Sequence, residues 1–502
     1  MKTADEQKPY VKQNYKLFPK YNIPGPKPTL WFGTLLDYNK LGIHGADQKY
    51  VKEYGKVFGT YLMQQPDLVI ADPSLLKTVL VKDFYNFTNR REFGGVFEEG
   101  IWGNLLTTMK DDRWKNVRNT VTPAFTSGKM KHMSPIIEDC VETLLEILQE
   151  KEEAKQSVNV KEVLGAFAMD VICAAAFATK IDAQRNPDNL YVKYAIETNN
   201  ISLTNWRIMI SLLFPYTVKC LYKYLGYQLV LKEAEQFYTQ HLTHLIQEKR
   251  KETTKSKSDF LQLLLASEKE NDSSLDKIDK EIDHNIGGKK IGLTNMEIIG
   301  QAFLFLIAGY DTTATTMTFA AYELAQNQDM QEKLRQEIIG VAGQTGSITY
   351  DMIQHKMPYL DSIILETLRF YPPASRFDRQ GVEEYKLTEE ITVPPHCVIS
   401  IAVFAIQHDE NYYPEPETFD PERFSPENKA NRDPLTFLPF GYGPRNCIGM
   451  RFAQMEMKLC LANIVRSFRI VPAPETEKPP LEISSVKLLA PKKPIFLTFQ
   501  KI

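Results

Sequence analysis

Phe440-Gly441-Tyr442-Gly443-Pro444-Arg445-Asn446-Cys447-Ile448-Gly449 is the stretch on which the reading of this 502-residue chain turns. Glycines at 441, 443 and 449 allow backbone turns and the close approach of a bulky flat ligand that a side chain would block. Cys447 stands just ahead of an apolar-periodic run over 449–468 that reads as a long helix. The free N–H groups and positive end of such a helix stabilise a thiolate, the form of cysteine that binds metal. Arg445, two residues away, can pair with an anion on the same ligand. Taken alone, a cysteine in a glycine-rich loop is more often an inert small hydrophobe.

Working outward, the composition narrows the possibilities. A net charge of -3 and a pI near 6.3 argue against a nucleic-acid binder, which would carry a basic excess. Cys140, Cys173, Cys220, Cys397, Cys447 and Cys460 show no pairing rhythm, so any cysteine function is single-thiol chemistry in a reducing compartment. Residues 1–28 hold six lysines and no apolar run of the roughly 7–15 residues of a secretory signal or the ~20 of a membrane span. They read as a polar segment with any membrane anchor absent, ending in the stiff hinge Ile23-Pro24-Gly25-Pro26-Lys27-Pro28. With no repeat and no sharp composition break, 29–502 reads as one domain.

Strand-like runs occur at 57–62 and 67–71, and helical patterning dominates from about 114 to 265. Between 250 and 290 the chain is highly charged, a loop interrupted by an amphipathic helix at 260–268. Thr294-Asn295-Met296-Glu297 is a capping box opening an apolar helix over 295–325. Within it lies Ala308-Gly309-Tyr310-Asp311-Thr312-Thr313, where an interior glycine costs about 0.8–1 kcal/mol against alanine and so needs a reason. A mid-helix threonine can simply bond the preceding turn. A further helix over 358–371 carries Glu366-Thr367-Leu368-Arg369 and stops at Pro372-Pro373; on a surface such a pair contributes only ~0.2–0.5 kcal/mol. Trp114-Lys115-Asn116-Val117-Arg118 sets an indole and a guanidinium one turn apart.

The pattern F-x-x-G-x-R-x-C-x-G at 440–449, E-x-x-R at 366–369, Pro421-Glu422-Arg423-Phe424 downstream and A-G-x-D-T-T at 308–313 together resemble the cytochrome P-450 family. The likeness runs from Pro24 to the C-terminus and is nearest the animal microsomal group containing the 3A subfamily. It implies a mainly α fold with small β-sheets and one haem b between the 295–325 helix and the Cys447 loop. Cys447 would ligate iron, with Phe440, Gly449 and Ala308 against the haem and Arg90, Trp114, Arg118, Arg379 and Arg445 toward its propionates. Asp311 and Thr312 would relay protons where the helix opens locally. Glu366, Arg369 and Arg423 would form a buried charge network, and Thr107, Phe305, Ile307, Ala374 and Phe377 would line the substrate cavity.

The implied activity is insertion of one oxygen atom from O2 into an apolar small molecule: a steroid, fatty acid or xenobiotic. No nucleotide fingerprint follows a plausible strand, so electrons come from a separate protein. The resemblance implies NADPH-cytochrome P-450 reductase docking near Lys115, Arg118, Lys129, Lys131 and Lys458, with cytochrome b5 as a possible second donor. It also implies residence on the cytoplasmic face of the endoplasmic reticulum membrane, and the apolar stretch 206–230 would dip into lipid. That stretch is poorer in phenylalanine than in the 3A subfamily. Two alternatives remain open at this stage: a haem-thiolate isomerase or dehydratase, disfavoured by the acid–alcohol pair Asp311-Thr312, and a haem protein that only binds.

Overall fold

The computed structural model describes residues 15–92, 100–199, 209–210, 213–214, 217–218, 220–221, 224, 232–251, 260–268, 292–485 and 488–502. Most of the 206–230 stretch and of the charged 250–290 segment therefore lies outside the described residues. The longer helices are α1 (Leu35–Tyr54), α2 (Asp111–Val121), α3 (Ser127–Glu153), α4 (Val160–Phe177) and α5 (Leu190–Asn199). They continue with α6 (Lys232–Lys251), α7 (Asn295–Gln326), α8 (Gln328–Ala342), α9 (Pro358–Phe370) and α10 (Met450–Ser467). Strands are β1 (Val57–Leu62), β2 (Gln65–Ile70), β3 (Val158–Asn159), β4 (Phe377–Gln380), β5 (Val398–Ile401), β6 (Phe468–Pro472) and β7 (Phe496–Lys501). One sheet has the order β1-β2-β5-β4, with β2 and β5 parallel, and a second has the order β3-β7-β6.

Helix α7 is the axle. Thr294 accepts the Glu297 amide at 3.2 Å and its own amide donates to the Glu297 carboxylate at 2.7 Å, so the capping box forms as the sequence required. From Ile298 onward the helix is buried on almost every side, in keeping with its apolar composition. Two glycines set its distance from α4: a Cβ on Gly309 would lie 2.7 Å from Ile172, and one on Gly165 would lie 3.0 Å from the Tyr310 hydroxyl. This reciprocal fit, rather than a break in the helix, is the reason for the glycine at 309, because α7 runs unbroken through 308–313.

On the other side of the core the Glu366–Arg369 pair is fully buried and bidentate, at 2.7 and 2.8 Å. Arg423 adds a longer contact to Glu366 at 3.6 Å. The pair is therefore no surface ornament: Arg369 also donates to the carbonyls of Gln407 and Pro416, while Glu366 accepts the Asp420 amide. Gln407, itself buried, donates to the carbonyls of Leu368 and Arg369 and accepts the Leu438 amide at 2.8 Å. A continuous buried hydrogen-bonded path thus leads from α9 to the segment that becomes the Cys447 loop.

Near the end of α7, Glu323 accepts a hydrogen bond from the Tyr371 hydroxyl at 2.7 Å, beneath the stacked Phe319 and Tyr371 rings. Burial pushes its carboxyl up from 4.5 to about 7, against the opposing hydrogen bond from Tyr371. A raised carboxyl binds more protons folded than unfolded between those values, so stability falls as pH rises from about 4.5 to 7 and levels off above. Glu323→Gln, which keeps an acceptor for Tyr371, should remove that component, on the order of 3 kcal/mol across the window. Denaturant unfolding of both proteins across that window checks it; parallel pH profiles would refute it.

Candidate active site

The Cys447 loop is folded on itself by three short backbone bonds. Gly441 N donates to Leu438 O, Asn446 N to Gly443 O, and Cys447 N to Phe440 O at 2.8 Å. Gly441 and Gly443 sit at φ +69° and +78°, the left-handed region that favours glycine. At Gly443 a Cβ would also stand 2.1 Å from the Leu80 carbonyl oxygen. Gly449 differs: it caps α10 at φ -83°, and a Cβ there would enter open space, so no protein contact demands the glycine.

Cys447 is solvent-accessible, and the protein packed around it raises its thiol by burial. Against burial act the backbone amides of Gly449 and Met450 and the charges of Arg118 and Arg90, all of which favour the thiolate. Cys173 and Cys460 are raised by burial and neighbouring acids or thiols with nothing opposing. The chemistry of the donor set, amides at a helix start plus two guanidinium groups, fits an anionic sulfur ligand.

Arginines gather beside this loop. Arg379 is fully buried and Arg445 nearly so. Arg445 stacks over the Trp114 ring at 4.2 Å and donates to Met109 O at 2.8 Å, and Arg90 reaches Arg445 O at 3.5 Å. The Nε atoms of Arg90, Arg379 and Arg445, and Nη1 of Arg445, have no hydrogen-bond partner among the described residues. Burial first, then the neighbouring Arg90 charge, pushes Arg379 and Arg445 down to about 9. Orphaned buried cations cost several kcal/mol unless an anion meets them. The residues present therefore fit a ligand bearing carboxylates at this edge.

Arg118 has a further contact. It donates to Asn446 O and Oδ1, both at 3.0 Å, and so braces the Cys447 loop besides lying beside the cradle expected for a propionate. Asn446, not singled out from the sequence, is its partner. Lys458 is a plain correction: it is buried and paired with Asp361 at 2.7 Å, so it forms no part of a docking face. An amphipathic helix predicts that inversion poorly, since a lysine on the inner face looks like any other. Lys115 is exposed, and Lys131 is exposed but paired with Asp351 at 2.7 Å.

On α7, Ala308 is exposed although its helix is mostly buried. Thr312 Oγ1 donates to Ala308 O at 2.7 Å, the mid-helix back-bonding a threonine can make, and the local opening expected there is not seen because α7 is continuous. Asp311 is held at 2.8 Å by Lys161 of α4, a partner that no local motif announces. Among the expected cavity residues, Phe305 stacks on Phe125 at 5.3 Å and meets Phe260 edge-on at 4.1 Å, which is core packing. Ile307, Ala374 and Phe377 are half-buried and Thr107 is exposed.

The sequence profile of the Cytochrome P-450 family matches residues 23–499. The chain belongs to the cytochrome P-450 family. It is 38% identical to cytochrome P-450 3A11 of Mus musculus over 97% of this chain and 93% of that protein. It is 39% identical to cytochrome P-450 3A2 of Rattus norvegicus, over 96% and 92% respectively. Lithocholate 6-beta-hydroxylase of Mesocricetus auratus is 37% identical over 97% and 93%. The fold, mainly α with small separate sheets, is the family's. This cytochrome P-450 is a haem-thiolate monooxygenase that uses haem b, a redox partner and a small-molecule substrate.

Gly443→Ala should lower the haem-to-protein ratio sharply, because both the positive φ and the Leu80 carbonyl oppose a Cβ, at about 1–3 kcal/mol for the backbone alone. Gly340→Ala, on α8 with nothing within 4 Å, should leave that ratio unchanged. Equal haem content in the two purified variants would refute the argument.

Proposed function

We propose that Cys447 supplies the thiolate that holds the haem of this monooxygenase, and that Arg90, Arg379 and Arg445, with Trp114 beneath Arg445, receive its carboxylates. The observation that carries this is the Cys447 sulfur itself, met by the Gly449 and Met450 amides and by two arginines at the start of α10. When bound, the haem activates dioxygen so that one oxygen atom enters an apolar substrate and the other leaves as water, using two electrons and two protons.

The rest is the work of the chain. Gly449 and Ala308 leave room for a flat ring system, and Phe440 closes the loop side. Thr312 presents a hydroxyl that can hand on a proton once it leaves Ala308 O. Asp311 relays protons to it, and Lys161 orients that carboxylate from α4 at 2.8 Å. Glu366, Arg369 and Arg423 hold the Cys447 loop through Gln407 and Leu438. Thr107, Ile307, Ala374 and Phe377 contact substrate. A steroid-like substrate is supported by the relative from Mesocricetus auratus, a lithocholate 6-beta-hydroxylase.

Residues 29–502 act as one catalytic domain behind the segment 1–28. Electrons arrive from the acidic face of a flavin-containing NADPH reductase at Lys115, Lys129 and Lys131, with cytochrome b5 as a second donor. The protein works on the cytoplasmic face of the endoplasmic reticulum. Among the described residues no helix is long and apolar enough to cross a membrane. Contact with lipid is supported by the exposed Leu36, Ile210 and Phe214.

Cys447→Ser should abolish the red-shifted carbon monoxide band of the reduced protein, while Cys460→Ser keeps it; the reverse result would overturn the ligand assignment. Thr312→Ala should keep haem and NADPH consumption but lower product formed per NADPH, with peroxide rising in its place. Loss of proton delivery of this kind is worth ~10²–10⁴-fold before water substitutes. Unchanged coupling would remove Thr312 from the relay, and turnover without reductase or NADPH would favour the isomerase.

A further inference from the structure

The segment ahead of residue 92 lies antiparallel to β4. Asn89 bridges Gln380, and Gln380 N donates to Asn89 O at 2.8 Å. Continued past that single bridge, the register brings Arg90 toward Arg379, whose guanidinium feels the Arg90 charge, and Arg91 toward Asp378. Directly opposed residues of an antiparallel pair share a face, and successive pairs alternate faces. Like charges opposed in this way are destabilising. The Arg90–Arg379 pair is therefore a strained element that must be held in place from elsewhere.

The next pair supplies the hold. Two residues past the bridge, the Asp378 carboxylate accepts the Arg91 backbone amide at 3.0 Å. The Arg91 guanidinium turns to the opposite side, onto Asp67 at 2.5 Å and Ser400 at 3.3 Å, inside the β2–β5 part of the sheet. It also lies 3.9 Å from Asp378. Asp378 is bound to the cradle by its backbone too, since Arg379 Nη1 donates to its carbonyl at 2.7 Å. Its charge acts favourably on both Arg379 and Arg445.

We propose that Asp378 is a positioning residue of the haem cradle: by accepting the Arg91 amide it pins the 89–91 segment against β4 and keeps Arg90 and Arg379 turned toward the haem carboxylates. Its negative charge partly offsets the arginine cluster. The proposal rests on the reading that these arginines receive the haem. Asp378 itself touches no reacting group.

The test uses holoprotein and follows two quantities: the rate of haem transfer to an excess of apoglobin, and the midpoint potential of the haem. Asp378→Ala loses both the acceptor and the charge; Asp378→Asn keeps an acceptor for the Arg91 amide and loses only the charge. Haem should leave the alanine variant about tenfold faster or more, as outer-shell changes do, and leave the asparagine variant at close to the wild-type rate. Both variants should shift the potential positive, because a nearby negative charge is gone. Transfer from Asp378→Asn as fast as from Asp378→Ala would overturn the pinning role. Wild-type transfer from Asp378→Ala, alongside accelerated transfer from Arg379→Gln, would overturn the proposal and leave the cradle intact. Unchanged transfer from Arg379→Gln would instead sink the cradle reading beneath it. Should Asp378→Ala yield no holoprotein, Asp378→Asn decides: an unmoved potential or fast haem loss refutes the proposal.

Discussion

A sulfur that must stay anionic inside a protein is the constraint to which the rest of this structure answers. Burial alone drives a thiol toward its neutral form, as at Cys173 and Cys460, where neighbouring acids or thiols reinforce the effect. At Cys447 the opposing contributions are few and local: two amides at the start of α10 and the charges of Arg118 and Arg90. Their geometry has to be exact to a fraction of an ångström, because a hydrogen bond weakens steeply with misalignment. The loop meets that demand with the positive-φ glycines 441 and 443 and with the brace from Arg118 to Asn446.

Such a loop cannot hold itself. Its first turn hangs on Leu438, whose amide is held by Gln407, whose own amide group is bonded to the backbone of α9. The Glu366–Arg369 pair sits at the root of that path. Desolvating two charges is costly, and the interior attraction offsets it only when every remaining donor and acceptor is met. Here Arg369 donates to three backbone carbonyls besides Glu366, and Glu366 accepts the Asp420 amide. The pair's contribution is to fix geometry more than to add stability.

Much of this was legible beforehand, and the pattern of what was not is physical. Elements with strong local signals appeared where expected: α7 with its capping box, α9 begun by Pro358 and ended before Pro372, α10 opened by Gly449, and the strand at 57–62. The glycine frame around Cys447 was also readable, since Gly441 and Gly443 take the positive φ that the loop needs. Partners contributed by distant elements were not. Lys161 reaches Asp311 from α4, and Lys458 turns inward to Asp361; neither leaves a trace in local sequence. Glycine 309 was correctly marked as needing a reason, but the reason is Ile172 of a neighbouring helix rather than an opened turn.

The buried arginines show how function and stability trade against each other here. Asp47, Asp67 and Asp378 neutralise Arg91 and Arg376 on one side of the β2–β5 sheet. On the other side Arg90, Arg379 and Arg445 have no carboxylate partner of their own among the described residues. A chain selected only for stability would balance both faces, since orphaned charge is among the costliest defects a core can carry. The imbalance is tolerable because a ligand that binds the folded state and brings anions lowers its free energy by mass action. On the proposed reading of these arginines, the same defect that weakens the apoprotein strengthens haem binding, and the carboxylates opposite set how much of that positive charge the haem meets.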